Sequence, residues 1–264
     1  MERTADRVAQ SAMTKRGDVT ITTLFDNYLA RDDLKALWGF SCYVEISGRV
    51  LLFDTGSNGR VLLQNARTLQ KDLGKTDTLF LSHHHWDHIG GVDSLIELKP
   101  DIDLVVPSSL SKNLIRDLRS MTKSVLTVDG EGRRIGDDLY STGLMGDEVK
   151  EQSLIIDTDA GLIVITGCAH SGIVNIVKKA KALLGREVLL LLGGFHLVYN
   201  DTTEIDGVIG ELKKEGVAYV SPTHCSGDLA IERFRDAFGE RFIAGGAGST
   251  IELGRLIRQR ERSS

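Results

Sequence analysis

The 264-residue sequence predicts a single α/β domain of the mixed α+β kind, with strands first arranged in hairpins and later alternating with helices. Three observations point there. Strand-length runs rich in β-branched residues and leucine recur and break at Gly or Pro. Segments with apolar residues at helical spacing follow the later runs. No linker, low-complexity tract or repeat divides the chain, so one domain over 1–264 is expected, with 1–17 a disordered N-terminal tail.

The elements follow in order. Val19–Phe25 and Ser41–Ile46 read as strands, and Arg49–Phe53 pairs with the second across Ser47-Gly48 as a hairpin. Residues 60–73 carry Val61, Leu62, Ala66, Leu69 and Leu73 at helical spacing and stop at Gly74. Val92–Leu98 reads as a short helix, 102–106 as a strand and 108–121 as a helix capped by Ser108 or Ser109. A second hairpin joins 153–157 to 162–165 through Thr158-Asp159-Ala160-Gly161. Helices over Ile173–Leu184, 203–215 and 229–238 each follow a strand that ends in histidine, and the basic stretch 255–262 reads as a solvated final helix.

Hydrophobic residues at 41% and charged residues at 26% are ordinary for a soluble globular chain. A net charge of −5 with no basic block argues against a nucleic-acid partner. No apolar run approaches the roughly 20 residues that span a bilayer, and the first eight residues lack the apolar core of a signal peptide. Cys42, Cys168 and Cys225 are odd in number and show no paired spacing. A reduced, cytoplasmic protein acting on a small molecule is the expectation.

Histidine placement carries the chemistry. The chain has seven, at 83, 84, 85, 88, 170, 196 and 224. Four of them, with Asp87, crowd into Leu81-Ser-His-His-His-Trp-Asp-His-Ile-Gly-Gly91. Neutral imidazole and carboxylate are the ligands that borderline divalent metals prefer. Alternation along an extended segment puts His83, His85 and Asp87 on one side and His84 and Trp86 on the other. A turn at Asp87-His88 folds His88 back toward the first side, which suits two metal ions. His170, His196 and His224 each end a strand-like run, and carboxyl ends of strands are where α/β sites assemble.

The His83-x-His85-x-Asp87-His88 spacing, preceded by Leu51-Leu-Phe-Asp-Thr-Gly56, resembles the metallo-β-lactamase superfamily. The resemblance runs from about Thr22 to Leu253. It implies a four-layer αββα sandwich, two mixed sheets face to face with helices outside and a metal site at one edge. It also implies His83, His85 and His170 on a first divalent metal and Asp87, His88 and His224 on a second. Asp54 would orient the ligand loop by hydrogen bonds, a kind of support that matters to metal affinity. Zinc is the expected ion, with iron, manganese and nickel as alternatives. His85 departs from the flavodiiron branch, which places Glu there. One departure runs the other way: the superfamily's bridging Asp, expected at the end of the strand 188–192, is replaced by Gly193-Gly194-Phe195-His196. His196 is therefore expected to face the site as ligand or substrate contact, and a partly filled second metal position would follow.

Phe25-Asp-Asn-Tyr28, Leu37-Trp-Gly-Phe40, Gly167-Cys-Ala-His-Ser-Gly-Ile-Val-Asn175, Gly193-Gly-Phe-His196 and Pro222-Thr-His-Cys225 resemble the branch named for a dihydropterin synthase. That branch implies transfer of a pterin methyl group from its diphosphate to an arylamine. A metal-dependent hydrolase of a phosphoester or lactone is the alternative, with a non-catalytic metal sensor or an iron redox protein behind it. Asp87 and His196 are the candidate proton carriers. Asp26 and Asn27, after a strand, are candidates for the pocket mouth. Trp38 and Phe40 fit either a flat ring or the core. Cys168 and Cys225 are expected to pack, with a sulfur ligand at Cys225 the alternative.

Overall fold

The computed structural model describes residues 19–263, so the tail expected over 1–17 lies outside the described residues. In chain order the first half holds β1 (Val19–Phe25), β2 (Ser41–Ile46), β3 (Arg49–Phe53), α1 (Gly59–Thr68), β4 (Thr78–Phe80), α2 (Trp86–Ile89), α3 (Val92–Leu98), β5 (Asp103–Pro107), α4 (Lys112–Met121) and β6 (Ser124–Val128). The second half holds β7 (Arg133–Gly136), β8 (Leu139–Ser141), β9 (Leu154–Thr158), β10 (Gly161–Thr166), α5 (Ile173–Leu184), β11 (Val188–Gly194), α6 (Thr202–Lys214), β12 (Tyr219–Thr223), α7 (Asp228–Phe238), β13 (Thr250–Glu252) and α8 (Leu253–Ser263).

Two mixed sheets form, one ordered β13-β1-β2-β3-β4-β5-β6 and the other β12-β11-β10-β9-β8-β7. Their facing sides share one core, in which Val44, Leu51, Phe53 and Phe80 of the first sheet meet Ile156, Ile163, Ile165 and Leu190 of the second. On its other face the first sheet packs α1, α3 and α4 through Leu62, Leu95 and Ile115. The second sheet covers its outer face with α5, α6 and α7 through Ile176, Ile209 and Phe234. The order helix, sheet, sheet, helix is the αββα sandwich. Each buried Leu, Ile or Phe in these layers contributes about 1.5–3 kcal/mol.

Parallel pairing creates the edge on which the site stands. β3, β4, β5 and β6 run parallel, as do β10, β11 and β12. Their carboxyl ends bring Asp54, Ser82, Thr166, Gly194 and Thr223 into neighbouring positions.

Three expectations shift. The helix expected over 108–121 starts at Lys112, because Ser111 rather than Ser108 or Ser109 accepts the capping hydrogen bond from Leu114 N. The helix expected over 60–73 ends at Thr68, and of its remaining residues only Leu73 enters a separate 3-10 turn, Leu73–Lys75. The final helix is not merely solvated: Leu253, Leu256 and Ile257 insert into the core between the sheets.

Candidate metal centre

Asp54 organises the first half of the site. It sits just past β3 in a left-handed conformation, φ 52°, and is fully buried. Its Oδ1 accepts from Ser82 N at 2.7 Å, and its Oδ2 accepts from Ser82 Oγ at 2.6 Å and from His88 Nδ1 at 2.7 Å. Ser82 has one hydroxyl proton, and Asp54 takes it. The 2.9 Å contact between Ser82 Oγ and His83 Nδ1 is therefore a bond from the ring to the hydroxyl. Both His83 and His88 carry their protons on Nδ1, and both turn an Nε2 lone pair inward.

The same logic holds on the second sheet. His224 Nδ1 donates to Asn27 Oδ1 at 2.8 Å, while Asn27 Nδ2 donates back to the His224 carbonyl at 3.3 Å. This leaves His224 Nε2 buried with no hydrogen-bond partner, and His170 Nε2 is in the same state. Buried polar atoms rarely go unpaired without a reason. Glu151 fixes the loop that presents His170: its Oε1 accepts from Cys168 N and Ala169 N at 2.8 and 3.0 Å, and its Oε2 from His170 N at 2.9 Å.

The inward atoms fall into sets. His83, His85 and His170 offer ligand atoms within 4.8 Å of one another, as do Asp87, His88 and His224. Within the first, His83 Nε2 and His85 Nδ1 are 3.0 Å apart. Within the second, Asp87 Oδ2 lies 3.4 Å from His224 Nε2 and 3.6 Å from His88 Nε2. Ligands 2.0–2.1 Å from a tetrahedral ion sit roughly 3.3 Å apart, so both sets fit a divalent cation. His84 is exposed and joins neither.

The electrostatics agree with that fit. Burial and then the charges of neighbouring imidazoles hold His83 well below its ordinary value, and burial followed by His196 holds His170 down to about 4. Both are neutral, as ligands must be. Burial pushes Asp87 up, but the neighbouring His224 and His88 imidazoles outweigh it and hold the carboxyl at about 2. Burial likewise pushes His88 down, yet Asp54 beside it wins and raises it.

Four of the non-glycine residues with positive φ cluster here: Asp54, Ala169, His196 and His224, at 52°, 60°, 54° and 53°. Such backbone persists only where surroundings over-determine it, and it gathers at functional sites.

The structure corrects two expected roles. Asp26 is fully buried rather than at a pocket mouth, and its Oδ2 accepts from Thr223 Oγ1 at 2.7 Å. Asn27 holds His224. Both act on the β12 end. Trp38 lies 5.0 Å, centroid to centroid, from the His224 ring, and Phe40 is core. His196 is exposed, its ring 4.4 Å from that of His170, and it groups with Cys168 and Cys225 rather than with either imidazole set. Between the sets stands Cys168, whose Sγ is 3.2 Å from His88 Nε2. Sequence reasoning missed Glu151 altogether, since nothing local distinguishes it from other loop acids.

A cavity of about 690 Å³ opens beside His170 and His196, lined also by Met145, Asp147, Glu148 and Asn175. A larger cavity of about 1120 Å³ is lined by Val217, Ala218 and Tyr219. It adjoins the amino end of β12, a strand's length from His224, and takes no part in the site.

Residues 39–236 match the family model described as the metallo-beta-lactamase superfamily. The chain belongs to the metallo-β-lactamase superfamily. Within it, the chain is 28% identical over 292 residues to the 7,8-dihydropterin-6-methyl-4-(β-D-ribofuranosyl)-aminobenzene-5′-phosphate synthase of Methanocaldococcus jannaschii, covering 90% of this chain and 98% of that one. The superfamily fold recurs in Tm1679, described as a metal-dependent hydrolase, at TM-score 0.74 and 26% identity over 89% of this chain and 98% of that one. The short form of human tRNase Z shares the fold at TM-score 0.61 and 17% identity, covering 89% and 99% of the two chains. Among the described residues no helix is long and apolar enough to cross a membrane.

Proposed function

We propose that this chain is a two-metal enzyme acting on a phosphorylated or heterocyclic small molecule, in a transfer like that of the dihydropterin synthase branch. The observation that carries the metal reading is the pair of buried, unpartnered Nε2 atoms on His170 and His224, each facing other inward ligand atoms. His83, His85 and His170 would hold one ion and Asp87, His88 and His224 the other, with Asp54, Asn27 and Glu151 orienting them. Bound divalent ions polarise phosphoryl or carbonyl oxygens, lower the pKa of water toward ~7 and stabilise an anionic leaving group.

The chain's own residues divide the remaining work. Asp87, ionised and pinned between His88 and His224, fits a ligand better than a proton donor. His196, exposed on the cavity wall, is the group placed to give or take a proton. The cavity lining near the ligands holds Asp147 and Glu148 and no Lys or Arg among the described residues. Charge on a phosphorylated substrate would therefore be met by the ions themselves. The synthase likeness across nearly the full length of both chains supports transfer. The hydrolase reading draws on the description of Tm1679.

The test is turnover by metal-analysed protein of three substrates: a pterin methyl diphosphate with an arylamine acceptor, an aryl phosphodiester and a lactone. Coupled product from the first, with little from the others, is expected. Hydrolysis of either of the latter without coupling would establish the hydrolase instead. Metal-replete protein that turns over none would end the enzyme reading.

A further inference from the structure

We infer that Cys168 supplies a thiolate ligand between the two imidazole sets, standing in for the carboxylate that the end of β11 lacks. The inference rests on the two-metal reading and specifies its donor set. Three observations carry it.

The first is position. Cys168 Sγ forms a group with His83 and His88, all ligand atoms within 4.8 Å, and those two histidines belong to different sets. It lies 3.2 Å from His88 Nε2, a nitrogen whose partner atom, Nδ1, is already committed to Asp54. The thiol proton fills that short gap in the metal-free chain. A cation entering there displaces it to solvent and takes both the sulfur and the nitrogen lone pair.

The second is space. β11 ends in Gly193-Gly194, and a Cβ on Gly194 would lie 2.4 Å from the Gly167 carbonyl oxygen and 2.5 Å from Cys225 Sγ. No side chain of any kind fits at that strand end. The sulfur against that strand end is Cys225 Sγ, so a bridging donor has to come from another element. Cys225 backs the arrangement, its Sγ donating to the Cys168 carbonyl at 3.6 Å.

The third is charge. Asp87 is the sole carboxylate among the candidate ligand groups of the described residues. Asp54 and Glu151 are spent on hydrogen bonds to Ser82, His88 and the 168–170 backbone. Two divalent ions against one coordinating carboxylate leave a large uncompensated charge in a buried place, which a thiolate reduces. Soft sulfur in turn selects zinc, iron or cobalt over manganese and magnesium.

Cobalt titration of chelator-stripped, reduced protein tests this. Nitrogen and oxygen ligands give cobalt its visible d–d bands, and a thiolate adds a near-ultraviolet charge-transfer band. Wild-type protein is expected to show both. Cys168→Ser should keep d–d bands and lose the charge-transfer band, whereas Cys225→Ser should retain both. Cobalt uptake by wild type without the charge-transfer band would overturn the sulfur ligand and leave the metal reading standing. No uptake at all would overturn both. Loss of the band in Cys225→Ser, but not in Cys168→Ser, would also reject it. Cadmium NMR of the unmutated chain gives a readout free of folding effects: a sulfur-shifted resonance is expected, and a shift typical of nitrogen and oxygen ligands alone refutes the assignment.

Discussion

Replacing Asp54 with Asn should disable two ligands at once without touching either. Asn keeps an acceptor for Ser82 N and tolerates the φ of 52°. Its amide NH2 then faces Ser82 Oγ and His88 Nδ1, at 2.6 and 2.7 Å in the native chain, where both now donate to a carboxylate. His88 can relieve the clash only by moving its proton to Nε2. Ser82 can relieve it only by turning its hydroxyl toward His83 Nδ1, which drives that ring's proton to Nε2 as well. Each ring then aims N–H, not a lone pair, at the centre. Loss of such support costs about 10- to 100-fold in metal affinity per ligand, roughly 1.4–2.8 kcal/mol each. The fold itself should not suffer, because burial raises the Asp54 carboxyl and an amide escapes that penalty. The assay is competition of Asp54→Asn and wild type for zinc against a chromophoric chelator, with urea unfolding of the metal-free forms alongside. Unchanged zinc affinity in a stably folded Asp54→Asn variant would refute the tautomer argument.

Asp26→Asn should stabilise the chain in a pH-dependent way. Burial lifts the Asp26 carboxyl from 3.8 to about 6, so its ionisation costs the folded state nothing below about pH 4 and about 3 kcal/mol above pH 7. The gain from the amide, read as the shift in urea midpoint, should grow as pH rises from 3.8 to about 6 and level off above that; a pH-independent difference would contradict it. Gly194→Ala should lower stability by about 1–3 kcal/mol through overpacking against the Gly167 carbonyl and Cys225 Sγ, and an unchanged thermal midpoint would argue otherwise. Glu151→Gln sets an amide against His170 N–H; about 1–3 kcal/mol of stability should go, measured by chemical denaturation, together with zinc affinity.

Much of this was legible in the chain because the strands near the site are bounded sharply. β1, β2, β3 and α5 begin and end where hydrophobic pattern and turn residues put them. What escaped was of two kinds. β7 is built on Arg133-Arg134-Ile135-Gly136, mostly exposed, and shows no alternation because only its neighbour β8 specifies it. The supports of the site escaped for a different reason. Asn27 meets His224, and Glu151 meets the 168–170 loop, only after the fold is complete. Nothing in the residues flanking either one records the partner. Asp26 looked like a mouth residue because turn formers after strands usually face solvent, yet the Thr223 hydroxyl claims it inside.

The candidate ligand sets straddle the two halves of the sandwich: His83, His85 and His88 come from the first sheet's edge, and His170 and His224 from the second's. Neither half holds a complete set. An ion that binds there has no counterpart in the unfolded chain, so it acts as a clamp across the sandwich and adds its binding free energy to unfolding. At a free concentration a thousandfold above Kd that amounts to about 4.1 kcal/mol. Loaded chains would then outlast empty ones wherever proteases sample the opened state, and the supply of metal would set the lifetime of the protein as well as its chemistry.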